Sequence, residues 1–251
     1  MKYEHVKNFI TRSGEVDFKD ELRVSAVLGY LEEVACSSAD ELGFGYDYIR
    51  EKGYAFMISG ISCVFHKPVG FQKAICVTTW PTPPSHVIFG REYKIFDENG
   101  DLSVEASSRW FLFDQKQEKL VQSKAIDNQD YSTYNTEKVL DNVRWKVPFF
   151  KTEEGVLGFS IKIANSEYDH NLHVNNTHYA DYSLNCFSVA ELASKKLTRF
   201  TIAYIKQCKE NETLRFYKKD CGNGDHIVQG FNEAGEVVSQ AQISFEEKEG
   251  V

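Results

Sequence analysis

The chain has 251 residues, 42% of them hydrophobic and 14% aromatic, with 5 prolines and 16 glycines. That composition excludes a disordered tail, a collagen-like fibre and a low-complexity linker, and the length allows one large domain or two of about 125 residues. Lys plus Arg is 29 against 37 for Asp plus Glu, a net charge of -8, which excludes a general nucleic-acid binder because phosphate neutralisation needs a basic footprint.

Met1 to Ile10 carries Lys2, Glu4 and Lys7 and no apolar core, so no secretory signal is expected and the chain reads as cytoplasmic. Apolar residues three and four apart predict a helix over Ser25 to Leu42, with Val27, Leu31, Val34, Cys36 and Ala39 on one side, Ser25 as N-cap and Gly43 as the C′ residue. Runs rich in β-branched and aromatic residues then predict strands over Tyr54 to Phe65, Lys73 to Trp80, His86 to Phe96 and Leu102 to Phe113. The longest stretch free of Asp, Glu, Lys and Arg, Ala74 to Gly90, is broken by Pro81, Pro83 and Pro84 and falls short of the roughly 20 residues of a membrane helix, so no membrane association is expected. Polar, Tyr/Asn-rich Ser123 to Pro148 is the expected linker. A second helix over Thr177 to Ala193 puts Tyr179, Tyr182, Cys186, Val189 and Ala193 on one stripe, and strands are expected over Leu197 to Lys206, Glu212 to Lys218, Asp225 to Phe231 and Glu236 to Phe245. Cys36, Cys63, Cys76, Cys186, Cys208 and Cys221 form no CxxC pair and read as reduced thiols, with neither a metal site nor a cofactor expected.

The two halves repeat. Phe96 to Ala106 matches Phe231 to Ala241, each a polar turn with Gly in the same place before an alternating strand, at an offset of 135 residues (231 less 96), about right for a duplicated domain. One long helix before a meander of strands, twice over, is an α+β layout in which each antiparallel sheet buries its apolar face against its helix. The expected division is a first domain over 1–122, a linker over 123–155 and a second domain over 156–251.

The densest polar cluster is Asp169-His-Asn-Leu-His-Val-Asn-Asn176, just before the second helix. Pairing Tyr30 with Tyr182 sets Asp17 opposite Asp169 but Lys19 and Glu21 opposite Asn171 and His173, so one active site per chain is expected. In an extended segment Asp169, Asn171 and His173 share a face. A carboxylate can then hold an imidazole suited to proton transfer near neutrality, while the amide orients a water or an acyl oxygen and the helix start offers N–H groups to developing negative charge. The alternative is structural: Asn175 or Asn176 caps the helix and His173 is merely hydrogen-bonded.

Asp169-x-Asn171-x-His173-Val174-Asn175-Asn176-x-x-Tyr179 resembles the active-site motif of the acyl-acyl carrier protein thioesterases. Gly43-Phe44-Gly45, Ala106-Ser-Ser-Arg-Trp110 and Tyr204-x-x-x-Cys208 fit in order, over roughly Phe18 to Glu246. The resemblance implies two tandem hotdog domains, each a sheet wrapped around a long helix, and hydrolysis of a fatty acyl thioester. It implies His173 as base, Asp169 orienting it or sharing its proton, and Asn171 positioning water or the thioester oxygen, with Asn175, Asn176 and Gln207 at the substrate. Plant members of the family carry a glutamate followed by a cysteine where this chain has Gln207 and Cys208. An amide is no general base, whereas the family's alternative Cys-His-Asn triad keeps its parts as Cys208, His173 and Asn171. Against that, free cysteine is a commonly buried residue and Ala203 to Cys208 reads as a strand.

By the same resemblance the first domain supplies an acyl tunnel, for which Met57, Ile61, Trp80 and Trp110 are candidates, and the partner is an acyl carrier protein bearing a fatty acyl phosphopantetheine. Lys195 to Lys219 carries eight basic and two acidic residues and offers either a dock for that acidic partner or a solvated sheet face. Two hotdog repeats already make an internal pseudo-dimer, so a monomer or a homodimer fits. An acyl-coenzyme A thioesterase and a non-catalytic acyl-binding module are the alternatives, the latter kept open by Gln207.

Overall fold

The computed structural model describes residues 2–126 and 130–248; residues 127–129 of the expected linker and 249–251 of the second domain lie outside the described residues. The first half runs β1 (His5–Ile10), α1 (Val24–Glu41), α2 (Tyr46–Glu51), β2 (Tyr54–Phe65), β3 (Ala74–Pro81), β4 (Ile88–Phe96), β5 (Leu102–Asp114) and the short β6 (Lys119–Val121). The second half runs β7 (Val156–Lys162), α3 (His178–Leu184), α4 (Val189–Ala193), β8 (Lys195–Tyr204), β9 (Thr213–Gly222), β10 (Asp225–Phe231) and β11 (Val237–Glu247).

All pairings are antiparallel and make one sheet in the order β1-β3-β4-β5-β2-β8-β11-β10-β9-β7, with β6 on β5. The order 1-3-4-5-2 recurs as 7-9-10-11-8, and the halves meet where β2 pairs β8 from Gly60↔Ala203 to Val64↔Arg199. At the centre of that seam Ser62 and Thr201 share a buried hydrogen bond of 2.7 Å. Ser62 pairs Ser107 and Thr201 pairs Gln242, and 242 lies 135 residues beyond 107, the offset of the sequence repeat. The repeated turns agree in detail: Asp97 Oδ1 accepts from the N–H groups of Asn99 and Asp101, and Asn232 Oδ1 from those of Ala234 and Glu236, with Gly100 and Gly235 at φ 81° and 76°. Glycine occupies both because a left-handed φ costs it nothing.

α1 packs on the inner face of the first half's strands, and α3 on the second's, the two helices touching each other. Val27, Leu31 and Val34 of α1 join Tyr179 and Tyr182 of α3 and Phe200, Phe216 and Ile243 of the sheet in one buried core that crosses the seam. Burying this apolar stripe, not helix propensity, holds the helices in place. The segment after β6 covers the outer face. Trp80 Nε1 donates to Glu137 O (3.0 Å), Trp145 stacks under Arg109 (4.4 Å), and the Phe150 main chain donates to and accepts from the Gln229 side-chain amide (3.1 and 2.7 Å).

Several expectations change. Arg23, not Ser25, occupies the N-cap of α1, and the Ser25 hydroxyl engages Asp181 instead. Gly43 takes the expected C′ place at φ 79°, while Cys36 turns out exposed. The single helix expected over Thr177 to Ala193 is broken into α3 and α4. Phe187 leaves the helix to pack edge-on against His226 and Phe245 (5.0 and 5.2 Å), and Ser188 with Glu191 forms a capping box that starts α4 afresh, leaving Val189 exposed. The strand expected to run through Cys208 stops at Tyr204, because Ile205 and Lys206 both turn their N–H groups to Val238 O. β1, β6 and β7 were not foreseen.

Candidate active site

Asp169 to His173 is a tight turn, not the expected extended segment. Asp169 Oδ1 accepts from the N–H groups of Asn171 (2.8 Å) and His173 (3.1 Å), Asp169 N donates to His173 O (2.8 Å), and Leu172 sits at φ 59°. The same turn stands 152 residues earlier: Asp17 Oδ1 accepts from Lys19 and Glu21, Asp20 has φ 59°, and Tyr30 donates to Glu15 as Tyr182 donates to Glu167. The aspartate therefore shapes the loop in both halves, and only the second half loads it with His170, Asn171 and His173, all exposed. The carboxylate contact expected for a histidine ring is made by another pair, His178 Nδ1 with Glu167 Oε2 at 2.9 Å.

After the turn, Asn175 Oδ1 accepts from the N–H (2.9 Å) and hydroxyl (2.8 Å) of Thr177, and so takes the structural role at the helix start. Asn176 O accepts from Tyr204 OH at 3.1 Å. Asn176, Thr177 and Tyr204 close a narrow cleft, with a free volume of about 20 Å³, whose remaining wall comes from the first half: Leu28, Leu31 and Glu32 of α1, Ile58 and Ile61 of β2, Tyr93 and Trp110. Ile61 and Trp110 are thus where a tunnel was expected. Met57 and Trp80 are not: Met57 is 44% exposed, and Trp80, 1% exposed, lies on the outer sheet face under the Glu137 segment. The reason is the strand period of two. Ile75 and Val77 of β3 enter the core that α1 shares, so by alternation Trp80 points away.

Glu32 is the cleft residue that no sequence pattern singled out. It comes from a helix 137 residues before Asp169, yet burial pushes its carboxyl above the ordinary range, reinforced by the Asp169 carboxylate and opposed by His170. The charges of the turn therefore reach Glu32.

Cys208 is buried, accepts a hydrogen bond from Tyr179 OH at 3.1 Å, and has its thiol pushed up to about 11 by burial. That is the environment of an inert thiol, not of a thiolate nucleophile. Gln207 is exposed beside it. Four of the eight basic residues of the stretch are ion-paired: Lys195 with Glu247, Lys206 with Glu236, Lys218 with Glu191 and Lys219 with Glu154. Among the described residues no group of three or more His, Cys, Asp or Glu stands ready to hold a metal ion, and no helix is long and apolar enough to cross a membrane.

Two helix-wrapped antiparallel sheets joined edge to edge, with a mainly apolar cleft between them that Asn176 and Thr177 close, define a double hotdog protein. The chain belongs to the acyl-acyl carrier protein (ACP) thioesterase family: its residues 2–126 match the acyl-ACP thioesterase N-terminal domain and 152–247 the C-terminal domain. It is 20% identical over 222 residues to oleoyl-ACP thioesterase 1 of Arabidopsis thaliana (83% of this chain, 61% of that protein), and 24% identical over 235 residues to the palmitoyl-ACP thioesterase of the same plant (83% and 53%). It thus spans little more than half the length of these relatives. The fold is shared with an acyl-ACP thioesterase from Bacteroides thetaiotaomicron (TM-score 0.88, 19% identity, 97% of this chain and 98% of that one) and with the 12:0-ACP thioesterase from Umbellularia californica (TM-score 0.87, 16% identity, 98% of each).

Proposed function

We propose that this protein hydrolyses the thioester of a fatty acyl-ACP, releasing a free fatty acid and the carrier thiol. The observation that carries the reading is the cleft at the seam, apolar but for Glu32 where the first half (1–122) lines it and polar where Asn176 and Thr177 of the second half (156–251), just after the Asp169 turn in sequence, close it. On this reading the acyl chain enters between the apolar side chains as they part, and its thioester lies at the polar end. A thioester carbonyl is electrophilic, so water suffices as nucleophile once positioned. His173 exchanges protons with the reacting atoms, Asn171 and Asn176 orient water or the acyl oxygen, and Asp169 acts as a positioning residue by holding the His173 main chain. One chain contains the whole cleft, consistent with a cytoplasmic enzyme working as monomer or homodimer.

Thiol release from one acyl chain carried on ACP or on coenzyme A, scanned over chain lengths, tests this. Faster release from ACP is expected. Preference for coenzyme A would reassign the carrier, and no release from either would leave an acyl-binding module. Asp169→Asn, which keeps the acceptor oxygen of the turn, should retain most turnover, whereas Asp169→Ala should lose it about tenfold or more as two charge-assisted main-chain hydrogen bonds disappear; equal losses in both would show that the charge itself is needed. Cys208→Ser should keep turnover within about threefold in the same assay, and its abolition would restore the cysteine to the mechanism.

A further inference from the structure

We propose that Glu32 is the general base of the hydrolysis, its carboxylate taking the proton of the water that attacks the thioester in the cleft it shares with Trp110, Asn176, Thr177 and Tyr204. The inference rests on the thioesterase reading above and adds a catalytic residue from the other half of the molecule.

The placement is the first argument. Glu32 projects from α1 into the same cleft that Asn176 and Thr177 close, so one cleft brings a carboxylate of the first half to the motif of the second. The second is what Glu32 lacks. Asp17, Asp97 and Asp169 each give Oδ1 to two turn N–H groups, Glu15 and Glu167 hold tyrosines, and the neighbouring Glu33 pairs with Lys7 at 2.6 Å. Among the described residues nothing donates a hydrogen bond or an ion pair to Glu32, although it is half-buried. A half-buried carboxylate with no protein donor, and with oxygens still within reach of solvent, is free to take a water or a ligand.

The pseudo-symmetry gives the third argument. The offset of 152 that superposes the Asp17 and Asp169 turns sets Leu184 opposite Glu32, and Leu184 packs against the core. A carboxylate is therefore no requirement of the helix position; it stands only where the His- and Asn-bearing turn is. Its raised proton affinity, caused by burial with Asp169 adding and His170 subtracting, brings a carboxyl towards the range where a base works best. The other residues placed for this task are unfit, since Gln207 is an exposed amide and the Cys208 thiol is buried under Tyr179.

In the step, the water oxygen bonds to the carbonyl carbon as its proton passes to Glu32 and the C=O pair moves onto oxygen. That pair returns, the C–S bond breaks, and the sulfur takes a proton from protonated His173. Glu32 then releases its proton to solvent and His173 regains one, leaving fatty acid and thiol with no further reactant.

The test is thiol release from acyl-ACP by the wild type, Glu32→Gln and Glu32→Ala, with the melting temperature of each. Glu32→Gln should lower kcat about 10²- to 10⁴-fold, the usual share of a general base, with KM little changed and the melting temperature no lower, since the amide removes a disfavoured buried charge. Glu32→Ala should regain turnover when formate is added, a small carboxylate that fits the vacated space and a response that a packing role would not give. Wild-type hydrolysis with Glu32→Gln within about threefold of it, or Glu32→Ala inactive and indifferent to formate, overturns the assignment of Glu32 alone. A wild type that releases no thiol from ACP or coenzyme A overturns the hydrolase reading and this inference with it.

Discussion

His173→Ala should abolish most turnover, by about 10²- to 10⁴-fold in kcat, while leaving the melting temperature within about 2 °C of the wild type. The two halves of that expectation have separate causes. His173 is exposed, and what the turn needs from it is the main-chain N–H that donates to Asp169 Oδ1 at 3.1 Å and the carbonyl that accepts from Asp169 N at 2.8 Å. Alanine keeps both, so the turn and the cleft behind it survive. The imidazole is lost, and with it the group whose ordinary pKa lies nearest neutrality. The measurement is steady-state thiol release beside a thermal melt. A variant that stays within about threefold of wild-type kcat would remove His173 from the chemistry, and a large drop in melting temperature would show the ring to be structural.

Phe200→Ala should cost about 3–5 kcal/mol, which for a chain of this length lowers the melting temperature by about 6–20 °C. Phe200 is wholly buried on β8, pairs with Cys63 across the seam, and belongs to the one core that α1, α3 and both sheets share. Truncating it opens a cavity that neither half can close alone, because the strands on either side are tied into the same ladder. Calorimetry of the wild type and the variant should therefore each show one transition, the second displaced downward. Two separated transitions in the variant would mean that the halves unfold independently and that the seam is no more than a contact between domains.

Parts of this molecule are readable along the chain and parts are not. β2 over Tyr54–Phe65 and β10 over Asp225–Phe231 have the bounds expected of them, because long β-branched and aromatic runs between turn residues leave the backbone few alternatives. The edge strands β1 and β7 carry no such signal. They are short, bury no residue fully, and owe their form to the strands they pair, β3 and β9. The break between α3 and α4 was written in the Ser188-x-x-Glu191 capping box, but the stripe from Tyr179 to Ala193 concealed it.

By itself the sequence determined the duplication, the α+β class, the position of the polar motif and the absence of its counterpart in the first half, all of which follow from local pattern and fixed offsets. Only the tertiary structure decided that Asp169 serves the main chain and not the His173 ring, that Trp80 faces outward, that Cys208 is shut beneath Tyr179, and that Glu32 meets Asn176 and Thr177 in one cleft. These are matters of which face a strand shows and which helix lies against which. The antiparallel seam that joins Ser62 to Thr201 fixes them by bringing together residues more than a hundred positions apart, a distance over which no local periodicity carries information.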